Sequence, residues 1–134
     1  MSKLSAFLNP APLSEEKEVI ISDRFKDENG NVVPFKIRAL SQSEAENIAK
    51  QATRRVKVGG EYQNELDPTL HSHLLLVAAT VEPDFRATEV CQHYGVLDPS
   101  MVPAKMLRSG EYAKLLKEVT DLSGFGDLED EVKN

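Results

Sequence analysis

The sequence has little of several residue types that mark particular classes of protein. Its 134 residues include one cysteine and no tryptophan, and aromatic residues make up only 6% of the chain. The single cysteine, Cys91, excludes an intrachain disulfide framework, which small secreted domains use for stability. With few aromatic residues and 40% apolar content, the chain is expected to build its core from leucine, valine, isoleucine and alanine.

Long apolar runs and an excess of positive charge are also missing. No stretch approaches about eighteen consecutive apolar residues, the length that indicates a membrane span. The N-terminal residues contain no apolar run long enough for a signal peptide. The net charge is −6, and the last eight residues, DLEDEVKN, carry four acids and one lysine. We therefore expect a soluble protein that stays inside the cell that makes it.

A metal site is not expected from the histidines. His71 and His73 stand two residues apart, so on a helix their side chains would point about 200° away from each other. Helical zinc pairs need a spacing of four residues, and Cys91 with His93 supplies no second pair of ligands. We interpret the two histidines as surface or partly buried residues and expect no metal or other cofactor.

Catalytic motifs are missing as well. Glu82 and Asp84 flank Pro83 just after a predicted helix end, where Asp84 is better explained as the cap of the following helix than as a catalytic acid. The chain has no G-x-S-x-G nucleophile motif, no Walker sequence and no G-x-G-x-x-G loop. The sequence thus predicts a protein without enzymatic activity.

Positive charge is concentrated in one stretch. Four basic residues fall within eight positions: Lys50, Arg54, Arg55 and Lys57. On a helix, Arg54 would lie one turn from Lys50, and helix C-termini favour positive charge in any case. Because no aromatic residues are interleaved with these cations, and because the whole chain is acidic, we do not expect nucleic-acid binding.

Residues 17–39 are predicted to form a β-hairpin, because apolar and polar residues alternate along both halves. A two-residue Asn29-Gly30 loop would oppose an apolar residue to a charged one. A three-residue loop, Glu28 to Gly30, places Gly30 in the left-handed conformation and brings apolar residues together. The expected pairs are Phe25 with Val33 and Ile21 with Ile37.

Helical patterns follow the hairpin. The predicted helices cover residues 41–56, 68–81, a short stretch after Asp84, a stretch from Asp98 to Leu107, and a last helix from the cap Ser109 to Gly124. Ser41 and Glu44 form a capping box for the first, and Asp67 with Pro68 opens the second. The first helix is expected to end by Gly59-Gly60, and a short irregular link leads from there to the second. The second helix is the most apolar and is expected to form the centre of the core.

These elements predict an α+β fold that is mainly α, with an N-terminal β-hairpin followed by about four to five packed helices. One globular domain is expected at residues 17–125. A flexible arm is expected at residues 1–16, which contain two prolines, and a disordered acidic tail at residues 126–134.

Four segments carry a resemblance to a known family. They are SDRF with the following VPFKIRALSQSE, then ATVEPDF, then YGVLDP, and finally MLRSGEYAKLLKEVTDLSGF. In this order they resemble the XkdN-like tail assembly chaperones of tailed phages and defective prophages of Bacillus-type hosts. The resemblance covers about residues 17–125.

The resemblance implies a non-enzymatic protein that binds the tape measure protein, keeps it soluble and assists tail tube assembly. Such a protein acts in the cytoplasm of the bacterial host and is not expected in the mature virion. The tail tube protein and a second copy of the chain are further expected partners, and no membrane is involved. The alternative function is a structural component of the tail or neck of a phage-like particle.

Partner-binding residues are expected on or beside the last helix, because a C-terminal amphipathic helix is the easiest to expose. The candidates are Met106, Leu107, Tyr112 and Leu115. The alternative, that these residues only fill the core, stays open from sequence alone. Replacement of Leu115 by glutamate would distinguish the two, because only a core residue would cause unfolding.

Overall fold

Residues 3–11 and 16–124, the part of the chain that the computed structural model describes, contain both helices and strands. The helices are α1 Leu4–Leu8, α2 Gln42–Ala52, α3 Pro68–Ala79, α4 Thr88–His93, a 3-10 helix Pro99–Met101, α5 Val102–Met106 and α6 Ser109–Leu122. The strands are β1 Glu16–Val19, β2 Phe35–Arg38, β3 Thr53–Val58, β4 Glu61–Leu66 and β5 Thr80–Glu82. The predicted α+β class is confirmed.

β2 is the central strand of the main sheet. It pairs antiparallel with β1 on one side and with β5 on the other. Phe35 and Ile37 of β2 are buried, whereas Lys36 and Arg38 are half-buried. This alternation is typical of an antiparallel strand with one face on the core.

The first hairpin has the predicted loop and, beside it, the predicted pairing, because the Val33 amide donates to the Phe25 carbonyl at 2.8 Å. Farther from the loop the register differs from the prediction. Lys26 bridges to Val32, and Gly30 has a φ of 82°, so three residues form the loop. Below the loop, Val19 pairs with Phe35, so the predicted pairing of Ile21 with Ile37 is wrong. Between these two contacts, residues 20–25 face only residues 33–34. Pro34 has no N–H for a ladder, which favours a break at this point.

The helix predicted at residues 41–56 is too long. It begins at the predicted Ser41–Glu44 capping box but ends at Ala52. The chain continues as β3, turns at Gly59-Gly60 and returns as β4, where an irregular link was predicted. Both turn glycines have positive φ, 60° and 86°, which is the geometry of a tight two-residue hairpin turn.

The core lies between the main sheet, α3 and α6. Asp67 accepts hydrogen bonds from two amides of the first turn of α3, as predicted, and Leu76 of α3 is fully buried. α3 ends at Ala79, two residues earlier than predicted. The largest side chains with no appreciable exposure are Phe85, Ile37, Leu76, Leu115, Val102, Val119 and Pro103. The core is therefore mainly aliphatic, with two buried phenylalanines, Phe35 and Phe85.

Two helices have an N-cap residue other than the predicted one. α4 begins at Thr88 with Ala87 as its N-cap, and Asp84 instead accepts a hydrogen bond from the Arg86 amide in the preceding turn. α6 starts at Ser109 itself, and its N-cap is Arg108. Of the predicted flexible arm, the described residues 3–11 contain α1, whose residues are all exposed. The predicted acidic tail lies outside the described residues.

Candidate functional site

Of the two histidines, His73 packs against the last helix. The His73 Nδ1 atom lies 2.7 Å from the Tyr112 hydroxyl, and the two rings meet edge to face. Burial lowers the pKa of His73, with a smaller opposing effect from Asp67. Within residues 3–11 and 16–124, no three His, Cys, Asp or Glu side chains are grouped to hold a metal ion. His73 therefore connects α3 to α6.

The acids next to Pro83 have separate structural roles. Glu82 ends β5 and its carboxylate lies 3.7 Å from the Lys36 Nζ atom on the neighbouring strand. Asp84 holds the turn before α4. The thiol of Cys91 is buried and donates to the Phe85 carbonyl at 3.4 Å. None of these groups faces another in an arrangement for acid or base chemistry.

A partly buried ion pair shapes the surface beside α5. Arg24 donates from Nη2 and Nε to the two carboxylate oxygens of Glu111, at 2.6 and 2.9 Å. The same Nη2 atom donates to the Met106 carbonyl at 3.1 Å. The Arg24 hydrogen bonds hold the pKa of Glu111 well below its usual range, and desolvation opposes this shift. The irregular segment before the first hairpin loop is thus fixed to α5 and α6.

An apolar groove opens next to this ion pair. Its volume is about 240 Å³. It is lined by Phe25, Val33, Pro34, Pro83, Tyr94 and Met106, with the exposed Glu82 among the lining residues. A shallower cleft formed with Glu89, Val90 and His93 of α4 shares Tyr94 and Met106 with the groove. The two depressions therefore adjoin at the Tyr94 and Met106 side chains.

A second cavity, of about 200 Å³, lies between α2, α3 and α6. Its apolar lining comes from Leu40, Ala45, Leu75 and Val119, but hydroxyl and amide side chains contribute half of the lining residues. Two of the lining residues are bonded to each other, because the Leu40 amide donates to the Ser123 hydroxyl at 3.0 Å. The groove at Met106 has a more apolar lining and is the better candidate for binding apolar side chains.

The predicted partner-binding residues divide between core and surface. Leu115 is fully buried and Leu107 is 8% exposed. Met106 is half-buried and lines the groove. Tyr112 is also half-buried, and it lines a separate shallow cleft with Leu107 and His73. The structure therefore brings only Met106 to the groove, and Leu115 would contact a partner only after displacement of α6.

The basic stretch does not form a helical patch. Lys50 lies on α2, whereas Arg55 and Lys57 lie on β3 and point over the Tyr62 ring, at 4.5 and 5.8 Å from its centroid. Arg54 lies 3.9 Å from the Asp67 carboxylate. The predicted spacing of Arg54 one helical turn from Lys50 is therefore wrong, because α2 has already ended.

Comparison with known proteins identifies the family. The model of the phage XkdN-like tail assembly chaperone proteins matches residues 4–134. The chain belongs to the XkdN-like phage tail assembly chaperone family. Proteins of this family are generally non-enzymatic. The predicted resemblance, which rested on residues 17–125, is confirmed.

Relatives of this XkdN-like chain occur in Bacillus subtilis strain 168. It is similar to the protein YqbN, with 37% identity over 127 residues that cover 90% of this chain and 85% of YqbN. It is similar to the phage-like element PBSX protein XkdN, with 33% identity, covering 90% of this chain and 86% of XkdN. A crystal structure of YqbN matches with a TM-score of 0.78 and 34% identity, over 93% of this chain and 98% of that one.

One structural observation bears on the prediction that no membrane is involved. Among the described residues, no helix combines the length and the apolar character needed to cross a bilayer.

Proposed function

We propose that this XkdN-like protein binds the tape measure protein in the cytoplasm of the bacterial host, keeps it soluble and assists assembly of the tail tube. The observation that carries the proposal is membership of the tail assembly chaperone family over nearly the whole chain. The protein acts by covering apolar surface on its partner. It leaves before the virion is complete.

The groove at Met106 is the proposed contact surface. A long helical protein that is not yet enclosed by the tail tube exposes apolar stripes, which are an aggregation hazard. An amphipathic helix binds a groove by placing side chains one turn apart into apolar depressions. Two such depressions adjoin at Tyr94 and Met106, one toward Pro34 and one toward Val90. Methionine also suits this role, because its flexible side chain adapts to different partners.

Charge supports the same function. The net charge of −6 disperses complexes of this protein by mutual repulsion, even while apolar surface is being covered. Glu82 and Glu89 are exposed beside the groove. They favour a partner segment that carries lysine or arginine next to its apolar residues, and they disfavour an acidic one.

Leu107, Tyr112 and Leu115 are proposed to support this surface. Tyr112 and Leu107 line the neighbouring cleft and extend the contact area for a long partner helix. Leu115 lies in the core below them and holds α6 in place. Direct contact is therefore assigned to Met106 first and to Tyr112 second.

Co-expression with the tape measure protein tests the proposal. Met106→Glu places a charge in the groove, and Met101→Glu places the same charge at an exposed position outside it. We expect the unmodified protein and Met101→Glu to keep the tape measure protein soluble and to co-purify with it. Met106→Glu should fold, as judged by circular dichroism, but lose both properties.

Two outcomes would contradict the chaperone function, and a third would contradict the groove as its site. If the tape measure protein is equally soluble with and without this chain, the chaperone function is wrong. If the polypeptide is found at a fixed copy number in purified phage-like particles, the alternative of a structural tail or neck component is favoured. Equal binding by Met106→Glu and Met101→Glu would keep the chaperone function but remove the groove as its site.

A further inference from the structure

The strands β3 and β4 form a ribbon with two unpaired edges. Among the described residues they pair only with each other, through six residue pairs from Thr53–Leu66 to Val58–Glu61. Every residue of the two strands is exposed except Val56, which is half-buried. An isolated two-stranded ribbon is only marginally stable, and a row of unpaired backbone groups is a template for a further strand.

The direction of the backbone groups follows from the register. The pair next to a two-residue turn, here Val58 and Glu61, is hydrogen bonded, and bonded pairs then alternate with non-bonded ones. Ala52 and Asp67 occupy a bonded position in this alternation, and the Asp67 amide donates to the Ala52 carbonyl at 2.9 Å. Outward-facing amides and carbonyls therefore belong to every second residue: Thr53, Arg55 and Lys57 on β3, and Tyr62, Asn64 and Leu66 on β4.

The two strands carry opposite charge. β3 contains Arg54, Arg55 and Lys57 and no acidic residue, which gives it three positive charges. β4 contains Glu61 and Glu65 and no basic residue, which gives it two negative charges. The charge of a β3 edge is therefore more complementary to a β4 edge of a second ribbon than to another β3 edge.

We propose that the β4 edge of one copy of this chain pairs antiparallel with the β3 edge of a second copy. Pairing of two β3 edges would gather six positive charges in one sheet, and like charges across neighbouring strands are destabilising. Pairing of β4 with β3 alternates the signs. The proposal concerns the ribbon alone and does not depend on the groove at Met106.

Pairing through unlike edges has a consequence for assembly. The contact is heterologous, because each copy uses one edge to bind and keeps the other edge free. Assembly therefore continues beyond a dimer until the copies close into a ring or extend as a filament. We expect concentration-dependent growth through several species in analytical ultracentrifugation, with weaker association at high salt.

A charge exchange tests which edges meet. In the first variant, Glu61→Lys with Gln63→Lys makes the β4 edge basic. In the second, Arg55→Glu with Lys57→Glu makes the β3 edge acidic. The cross-strand partners of these positions are uncharged, so neither variant places like charges opposite each other within its own ribbon. Each variant alone should associate about tenfold more weakly than the unmodified chain. An equimolar mixture of the two variants should regain association.

A backbone change provides a second, uncharged test. Asn64→Pro removes an outward-facing amide of β4, at a kind of edge position where proline is tolerated. Asn64→Ala removes the same side chain and keeps the amide. We expect loss of association only for Asn64→Pro.

Several results would overturn the proposal. These are a protein that stays monomeric up to its solubility limit, charge variants that associate like the unmodified chain, or a mixture of the two charge variants that stays monomeric. Equal association by Asn64→Pro and Asn64→Ala would also overturn it. Binding of the ribbon to an extended segment of another protein, without self-association, would assign the edge to that partner instead.

Discussion

From sequence alone, Leu115 could be a core residue or a partner-binding residue. Its burial in the structure leads to a quantitative prediction. Its side chain has no exposed surface, and it packs within the main hydrophobic core. Replacement of a fully buried leucine by alanine costs about 2–5 kcal/mol, because transfer energy is lost and a cavity is left. We expect Leu115→Ala to lower the free energy of unfolding by about 3 kcal/mol, which is a large part of the total for a domain of this size.

Urea unfolding followed by circular dichroism measures this loss. With a slope of about 1–3 kcal/mol per molar urea, the midpoint should fall by roughly 1–3 M while the slope itself stays the same. Leu116→Ala is the matched control, because it is the next residue of α6, changes helix propensity equally and is only half-buried. A loss for Leu115→Ala below about 1 kcal/mol, or equal to that of Leu116→Ala, would refute the assignment of Leu115 to the core.

Three further predictions follow from caps, charges and turns. Asp67→Ala removes the acceptor for two amides at the start of α3, and it should cost about 1 kcal/mol in the same urea assay. The Arg38 side chain lowers the pKa of Glu44 from 4.5 to about 2, so the stability it contributes is present above pH 4.5 and is lost as pH falls toward 2. Glu44→Gln should flatten the dependence of the melting temperature on pH in that interval, and an unchanged slope would contradict the pair. Gly60 has a φ of 86°, which residues with a side chain rarely adopt, and the space around it is open. Gly60→Ala should therefore lower the free energy of unfolding by about 1 kcal/mol through backbone strain alone. Amide exchange should then accelerate in β3 and β4 and stay unchanged in α3.

Local signals explain the parts of the fold that the sequence predicted well. The Ser41–Glu44 box and the Asp67-Pro68 start each depend on residues within one helical turn, and both are present in the structure. The three-residue loop ending at Gly30 is also local. A hydrogen bond between neighbours in sequence forms in nearly any tertiary context, so such patterns are reliable.

The β3–β4 ribbon was missed for a physical reason. A strand is recognised when one face is buried, because apolar and polar residues then alternate. Here neither face is buried, so the alternation in β3 is limited to Val56-Lys57-Val58, and Val56 also continues the apolar spacing of α2. The signals that could have found it are the β-branched residues and the Gly59-Gly60 pair, which is a hairpin turn sequence.

The groove at Met106 could not be predicted from sequence, because its walls come from distant segments. Arg24 and Glu111, whose ion pair positions the Met106 carbonyl, are 87 residues apart. Phe25 and Tyr94 reach the groove from the first hairpin and from the end of α4. The sequence identified Met106 from its place beside an amphipathic helix, but the surface around it depends on tertiary packing.

The most direct test of the central claim is a titration of the isotope-labelled protein with a soluble apolar helical segment of the tape measure protein, followed by nuclear magnetic resonance. We predict that chemical shift changes concentrate at Phe25, Tyr94 and the methyl group of Met106, and that they saturate at one segment per chain. Saturable changes confined to the second cavity, at Leu75 and Val119, or no changes at all, would contradict the account.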